Sequence, residues 1–108
     1  MKIAAVQMIS GPDVVPNLAA AGRLVAEAAA AGAQLVALPE YFPLIGATDV
    51  DRLAAREQEG QGPIQDFLAA TARRHGIWLV GGSIPLLARD PGKLRNGCLV
   101  FDPQGTRV

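Results

Sequence analysis

The chain has 108 residues, half of them hydrophobic and 19% charged. That length and balance suit one small domain folded around an apolar core and exclude a disordered chain. Ten basic and ten acidic residues cancel, and no block of like charge occurs, so the usual footprint of a nucleic-acid or membrane-surface binder is missing.

The lone cysteine, Cys98, cannot make an internal disulfide. Residues 1–8 carry one lysine and a short apolar run broken by Gln7, too little for a signal peptide. No run approaches the ~20 apolar residues that span a bilayer. The expectation is a cytoplasmic chain with no membrane and no nucleic-acid partner. One histidine and one cysteine cannot assemble a zinc site. No metal and no cofactor are expected.

Residues 2–8 read as a short, largely apolar strand. Ser10, Gly11, Pro12 and Asp13 break it, and Asp13 suits a helix N-cap. A helix is expected over about 14–31: Leu18, Ala21, Val25 and Ala28 form an apolar stripe, and Arg23 and Glu27 lie opposite. Six alanines between 26 and 33 favour it, and Gly32 is placed to end it. Residues 33–38 then read as a buried strand stopped by Pro39, which completes a βαβ-like unit.

Residues 41–46 are apolar but broken by Pro43 and Gly46, an ordered loop, and a short helix is expected over about 49–58. Pro63 suits the first position of a further helix, along which Ile64, Phe67, Leu68, Thr71 and His75 share a face before Gly76 stops it. Residues 77–80 read as a third strand, extended toward 84, and residues 95–102 as a fourth. Asp102, Pro103, Gln104 and Gly105 signal a β-turn, and residues 106–108 open a fifth strand that the sequence given does not complete. The expected organisation is therefore a single, incomplete domain over 1–108.

The sharpest local feature is Leu35-Val36-Ala37-Leu38-Pro39-Glu40, a carboxylate directly after a buried strand. In α/β sheets, functional groups gather at the carboxyl ends of strands. A glutamate in a crevice there is partly desolvated and suited to general-base work. A solvated strand-end glutamate has the same local sequence, so position alone leaves both readings open.

Four segments, in order, resemble the nitrilase superfamily of carbon–nitrogen hydrolases. They are residues 2–8 with Gln7; residues 35–40 followed by Tyr41 and Phe42; residues 77–83, a strand running into Gly81-Gly82-Ser83; and residues 95–105, an Asn96-led strand and turn. The resemblance implies the N-terminal part of a four-layer αββα sandwich. It implies cleavage of non-peptide C–N bonds in amide, nitrile or related small-molecule substrates, and assembly as a homo-oligomer, a dimer. It also implies a Glu-Lys-Cys triad of which only Glu40, the general base, maps here. The lysine and the cysteine would follow Val108, so residues 1–108 alone are expected to be inactive. The alternative is a non-catalytic α/β interaction or binding domain.

Other candidates carry plainer expectations. Tyr41 and Phe42 either line a substrate pocket or pack their loop. Cys98, mid-strand, is expected to be a small buried hydrophobe. Lys93 lies in a turn, and His75 faces a helix C-terminus. Gly81-Gly82-Ser83 lacks the Walker lysine and the Rossmann spacing and reads as close backbone packing. Asn96 is expected to bond neighbouring backbone.

Overall fold

The computed structural model describes residues 1–46 and 48–108. In chain order the elements are β1 (Ile3–Ala5), α1 (Val14–Ala30), β2 (Leu35–Ala37), α2 (Asp49–Ala55), α3 (Pro63–His75), β3 (Trp78–Val80), β4 (Ile84–Leu87), β5 (Leu94–Gly97) and β6 (Val100–Phe101). They form a four-stranded sheet of order β1-β2-β3-β6 and a separate β4-β5 hairpin. β1, β2 and β3 run parallel, and β6 is antiparallel to β3.

The register sorts the side chains onto two faces. Ala4, Val36, Leu79 and Phe101 are aligned across the sheet, and they point into the core with Val36 and Leu79 wholly buried. Val36 and Leu79 each contribute about 1.5–3 kcal/mol by leaving water. α1 brings Ala21 and Val25, and α3 brings Ile64, Leu68 and Ala72, to the same core. The opposite face aligns Ile3, Leu35 and Trp78, then Ala5, Ala37, Val80 and Val100. No helix covers it among the described residues, and Ile3 is 67% and Trp78 37% exposed.

α1 and α3 match the apolar periodicity and the punctuation. Pro63 opens α3 where its missing N–H breaks no helical bond, and Gly76 closes it in the left-handed conformation. Arg73, Arg74 and His75 in the last turn complement the helix dipole. Asp13 holds the N-cap position of α1, but its side chain makes no capping bond.

Four expectations need correction. α2 stops at Ala55 rather than near 58, because the chain turns extended at Arg56 and Glu57 bridges to Leu86 beside the hairpin. The third strand does not continue to 84: Gly82 takes φ 58°, and Ile84 begins the hairpin instead. The fourth strand is two strands in two sheets, with β5 paired to β4 and β6 paired to β3. The change of sheet falls at residues 98–99, which leaves Cys98 exposed instead of buried.

The turn at 102–105 forms as its sequence predicts. The Gly105 N–H donates to the Asp102 carbonyl at 2.8 Å, and the Asp102 carboxylate accepts the Gln104 and Thr106 N–H groups. Phe101 then bridges antiparallel to Arg107.

Candidate functional site

Glu40 stands where β2 leaves the sheet. The ladder still holds at Leu38, whose N–H donates to the Val80 carbonyl at 2.9 Å. The chain then turns sharply: the Phe42 N–H donates back to the Pro39 carbonyl at 3.2 Å, and the Leu44 N–H to the Tyr41 carbonyl at 3.1 Å. Beside this turn, the ends of β1 and β2 diverge around an open groove of about 550 Å³ lined by Val6, Gln7, Met8, Ile9 and Pro39.

The turn is fixed from three sides. On one, the Ser10 hydroxyl donates to the Phe42 carbonyl at 2.7 Å. Buried Asn17 donates to the Pro43 carbonyl at 2.8 Å, and it exchanges bonds with the Gly11 backbone. On the second, the Tyr41 N–H donates to Ser83 Oγ at 2.9 Å. On the third, the Arg52 guanidinium lies 4.4 Å from the centroid of the Tyr41 ring and donates to Asn96 Oδ1 at 2.5 Å. Asn96 Nδ2 in turn donates to the Tyr41 hydroxyl at 3.3 Å.

Tyr41 is the non-glycine residue with positive φ among the described residues, at 56°. A bulky side chain in that region costs on the order of 1–3 kcal/mol and persists where its surroundings over-determine it. Gly82 is part of those surroundings. A Cβ there would stand 2.0 Å from the Pro39 carbonyl oxygen, so only glycine lets the strand end at β3 lie against the chain leading to Glu40.

The structure therefore brings Glu40 to the carboxyl end of the parallel strands, as expected, with Tyr41 beside it. It does not supply the expected desolvation: Glu40 is exposed, and its carboxylate has no hydrogen-bond partner among the described residues. Phe42 is wholly buried, its ring tilted against Phe67 with centroids 6.4 Å apart. Of the two roles open to it, it fills the packing one, while Tyr41 stays half-exposed. Asn96 bonds two side chains rather than neighbouring backbone, which corrects its expected role. Lys93 and His75 stand away from this turn: Lys93 lies in the β4–β5 connection, and His75 lies in the last turn of α3. Among the described residues, no group of histidine, cysteine and acidic side chains could hold a metal ion.

Four residues at this turn escaped the sequence: Asn17, Arg52, Ser83 and, in its actual role, Asn96. Each acts across 26 to 55 residues of chain, where no local pattern reports a contact. Ser83 carried a signal as the end of a glycine pair after a strand, and Asn96 as the head of the fourth resembling segment.

A carbon–nitrogen hydrolase family profile matches residues 2–108. The chain is 42% identical over 105 residues to omega-amidase NIT2-A of Xenopus laevis, covering 97% of this chain and 37% of that one. It is 35% identical over 104 residues to the deaminated glutathione amidase of Yersinia enterocolitica, covering 95% of this chain and 36% of that one. Its fold matches the crystal structure of an amidase from Nesterenkonia sp. with a TM-score of 0.77 at 28% identity, covering all of this chain and 40% of that one. The chain thus spans little more than a third of the length of the curated relatives it matches. With the profile matched along nearly its whole length and its α/β architecture shared with nitrilase-superfamily enzymes, the chain belongs to the carbon–nitrogen hydrolase family.

Proposed function

We propose that residues 1–108 supply the general base of a carbon–nitrogen hydrolase acting on small amides through a glutamate, a lysine and a cysteine, with Glu40 as the glutamate. The observation that carries this reading is the position of Glu40. It is a carboxylate with no partner among the described residues, at the carboxyl end of β2, on a turn whose flanks are pinned by Ser10, Asn17 and Ser83. A surface glutamate with no task does not require a strained residue beside it, and strain of this kind gathers at functional sites.

The chemistry is the one that the resemblance to carbon–nitrogen hydrolases implies. Glu40 can take a proton, but it is not the nucleophile. In this reading a cysteine beyond Val108 gives its proton to Glu40 and attacks the amide carbon as the thiolate. Glu40 returns the proton to the leaving nitrogen, the C–N bond of the tetrahedral adduct breaks, and ammonia or an amine departs to leave a thioester. Water, deprotonated by the same carboxylate, then releases the acid and regenerates the thiol. A lysine, also beyond Val108, steadies the negative charge that develops on the carbonyl oxygen. No cofactor enters these steps.

The uncovered sheet face, with Ile3, Leu35, Trp78 and Val80, is where a second sheet would pack to complete an αββα sandwich. That layer would also supply the desolvation that Glu40 lacks here. An amide substrate is favoured over a nitrile because the two curated relatives compared above, an omega-amidase and a deaminated glutathione amidase, carry amidase in their names. Homodimer assembly of the full-length enzyme belongs to the same reading. No helix among the described residues is long and apolar enough to cross a membrane.

The test is ammonia release from small amides by the full-length protein. Glu40→Gln is expected to lower kcat by about 10²- to 10⁴-fold, the usual loss for a positioned general base, with the fold retained by circular dichroism. The 108-residue polypeptide alone is expected to release no ammonia. A Glu40→Gln protein that keeps kcat within about threefold of wild type would remove the base assignment.

A further inference from the structure

We propose that Ser83, with Gly82 beside it, is a positioning residue for Glu40, acting through the backbone of Tyr41. This inference rests on the reading of Glu40 as the base and adds to it a second residue on which the reaction depends.

Three observations converge on the segment after β3. The Ser83 side chain is buried, at 8% exposure, and its oxygen accepts the N–H of Tyr41, the residue directly after Glu40. Tyr41 is held at φ 56°, a left-handed conformation that a free tyrosine would leave for the extended or right-handed region. Gly82, at φ 58°, brings its backbone so close to Pro39, the residue directly before Glu40, that a Cβ would collide with the Pro39 carbonyl.

The chain is thus held before Glu40 by Gly82 and after it by Ser83. Gly82 sets the height of the chain entering it, and Ser83 sets the twist of the chain leaving it. The direction of the Glu40 side chain follows from those two constraints, because its own carboxylate makes no bond among the described residues that would orient it. A general base must stand within hydrogen-bond reach of the proton it takes. A misplacement of about 1 Å costs roughly 10²-fold in rate. Without the Ser83 oxygen, Tyr41 has no acceptor for its N–H and can relax out of the left-handed region, which swings the Glu40 carboxylate away from its working direction.

The experiment is steady-state amide hydrolysis by full-length Ser83→Ala, Ser83→Thr and Glu40→Gln proteins beside the wild type. Ser83→Ala is expected to lower kcat by about 10- to 100-fold, with KM within about twofold of wild type, because substrate contacts are kept while the base is displaced. Ser83→Thr, which keeps the hydroxyl, is expected to recover most of that loss. A purely structural role would lower the unfolding midpoint and leave kcat per folded enzyme unchanged.

A folded Ser83→Ala protein with wild-type kcat overturns the proposal, as does a kcat loss that Ser83→Thr shares in full. If Ser83→Ala does not fold, Ser83→Cys is read in its place with the same two outcomes, since its slightly larger sulfur fills the hydroxyl's place and is a far weaker acceptor. Glu40→Gln separates the two levels. A fully active Glu40→Gln protein removes the base assignment, whereas an inactive one beside a fully active Ser83→Ala protein removes only the positioning role.

Discussion

Glu57 is a buried carboxylate, at 6% exposure, that serves the fold rather than the reaction. It accepts the Ile64 N–H at 2.6 Å and the Gln65 N–H and side-chain amide at 3.1 Å each. It therefore satisfies donors at the start of α3 that have no partner within the helix. Glu57→Ala would leave two backbone N–H groups buried and unpaired. A buried unmet donor costs about 1–3 kcal/mol, so a loss of about 2–6 kcal/mol is expected in urea unfolding. Glu57→Gln, which keeps one acceptor oxygen, is expected to lose less. A loss of under about 0.5 kcal/mol for Glu57→Ala would mean that water reaches the helix start. At this scale the sequence was legible where chemistry is local. Glu40 announced itself by following a buried strand. Glu57 did not, because its partners lie seven and eight residues on, past a glycine-rich turn, and no N-cap pattern holds at that distance.

The hairpin and the closing turn are tied to the rest through Glu59. Its carboxylate meets Arg95 of β5 at 3.3 Å and Arg107 at 2.9 Å. The hydrogen bond from Arg95, and then that from Arg107, hold the Glu59 carboxyl below the ordinary value of 4.5. A depressed folded-state value means the unfolded chain binds the proton more readily. The tie is therefore fully present above the unfolded value and is lost as pH falls through the acid range below it. Because both arginines and Glu59 are about half exposed, the contribution is small and weakens with salt. Glu59→Gln is expected to flatten the fall in thermal midpoint between about pH 6 and about pH 3 at low salt. Wild type and variant falling in parallel would count against the tie. The helices were readable at this scale because their stripes, Pro63 and Gly76 all act within a turn or two. The split of 94–101 into β5 and β6 was not. Its cause is a choice of partner, β4 for one half and β3 for the other, and nothing within those eight residues records it.

The two faces of the four-stranded sheet are unequal in a way the sequence had already hinted. Residues 35–38 and 77–80 are apolar at every position, the pattern of parallel strands buried on both sides rather than the alternation of a half-solvated sheet. α1 and α3 cover one side only. On the other, Ile3, Leu35, Trp78, Ala37 and Val80 remain as a contiguous apolar strip across three strands. An exposed strip of that kind marks an interface when it is covered and an association hazard when it is not. The 108-residue polypeptide prepared alone is therefore expected to self-associate and to bind a hydrophobic dye. The double change Ile3→Lys and Trp78→Lys, on a face that α1 and α3 do not touch, is expected to return it to a monomer. If a second sheet packs on this face in the full-length protein, as proposed, Trp78 emission is expected at shorter wavelength there than in the polypeptide. A polypeptide that sediments as a monodisperse monomer and ignores the dye would favour the competing view of a self-sufficient binding domain, because a face stable in water needs no second sheet to cover it.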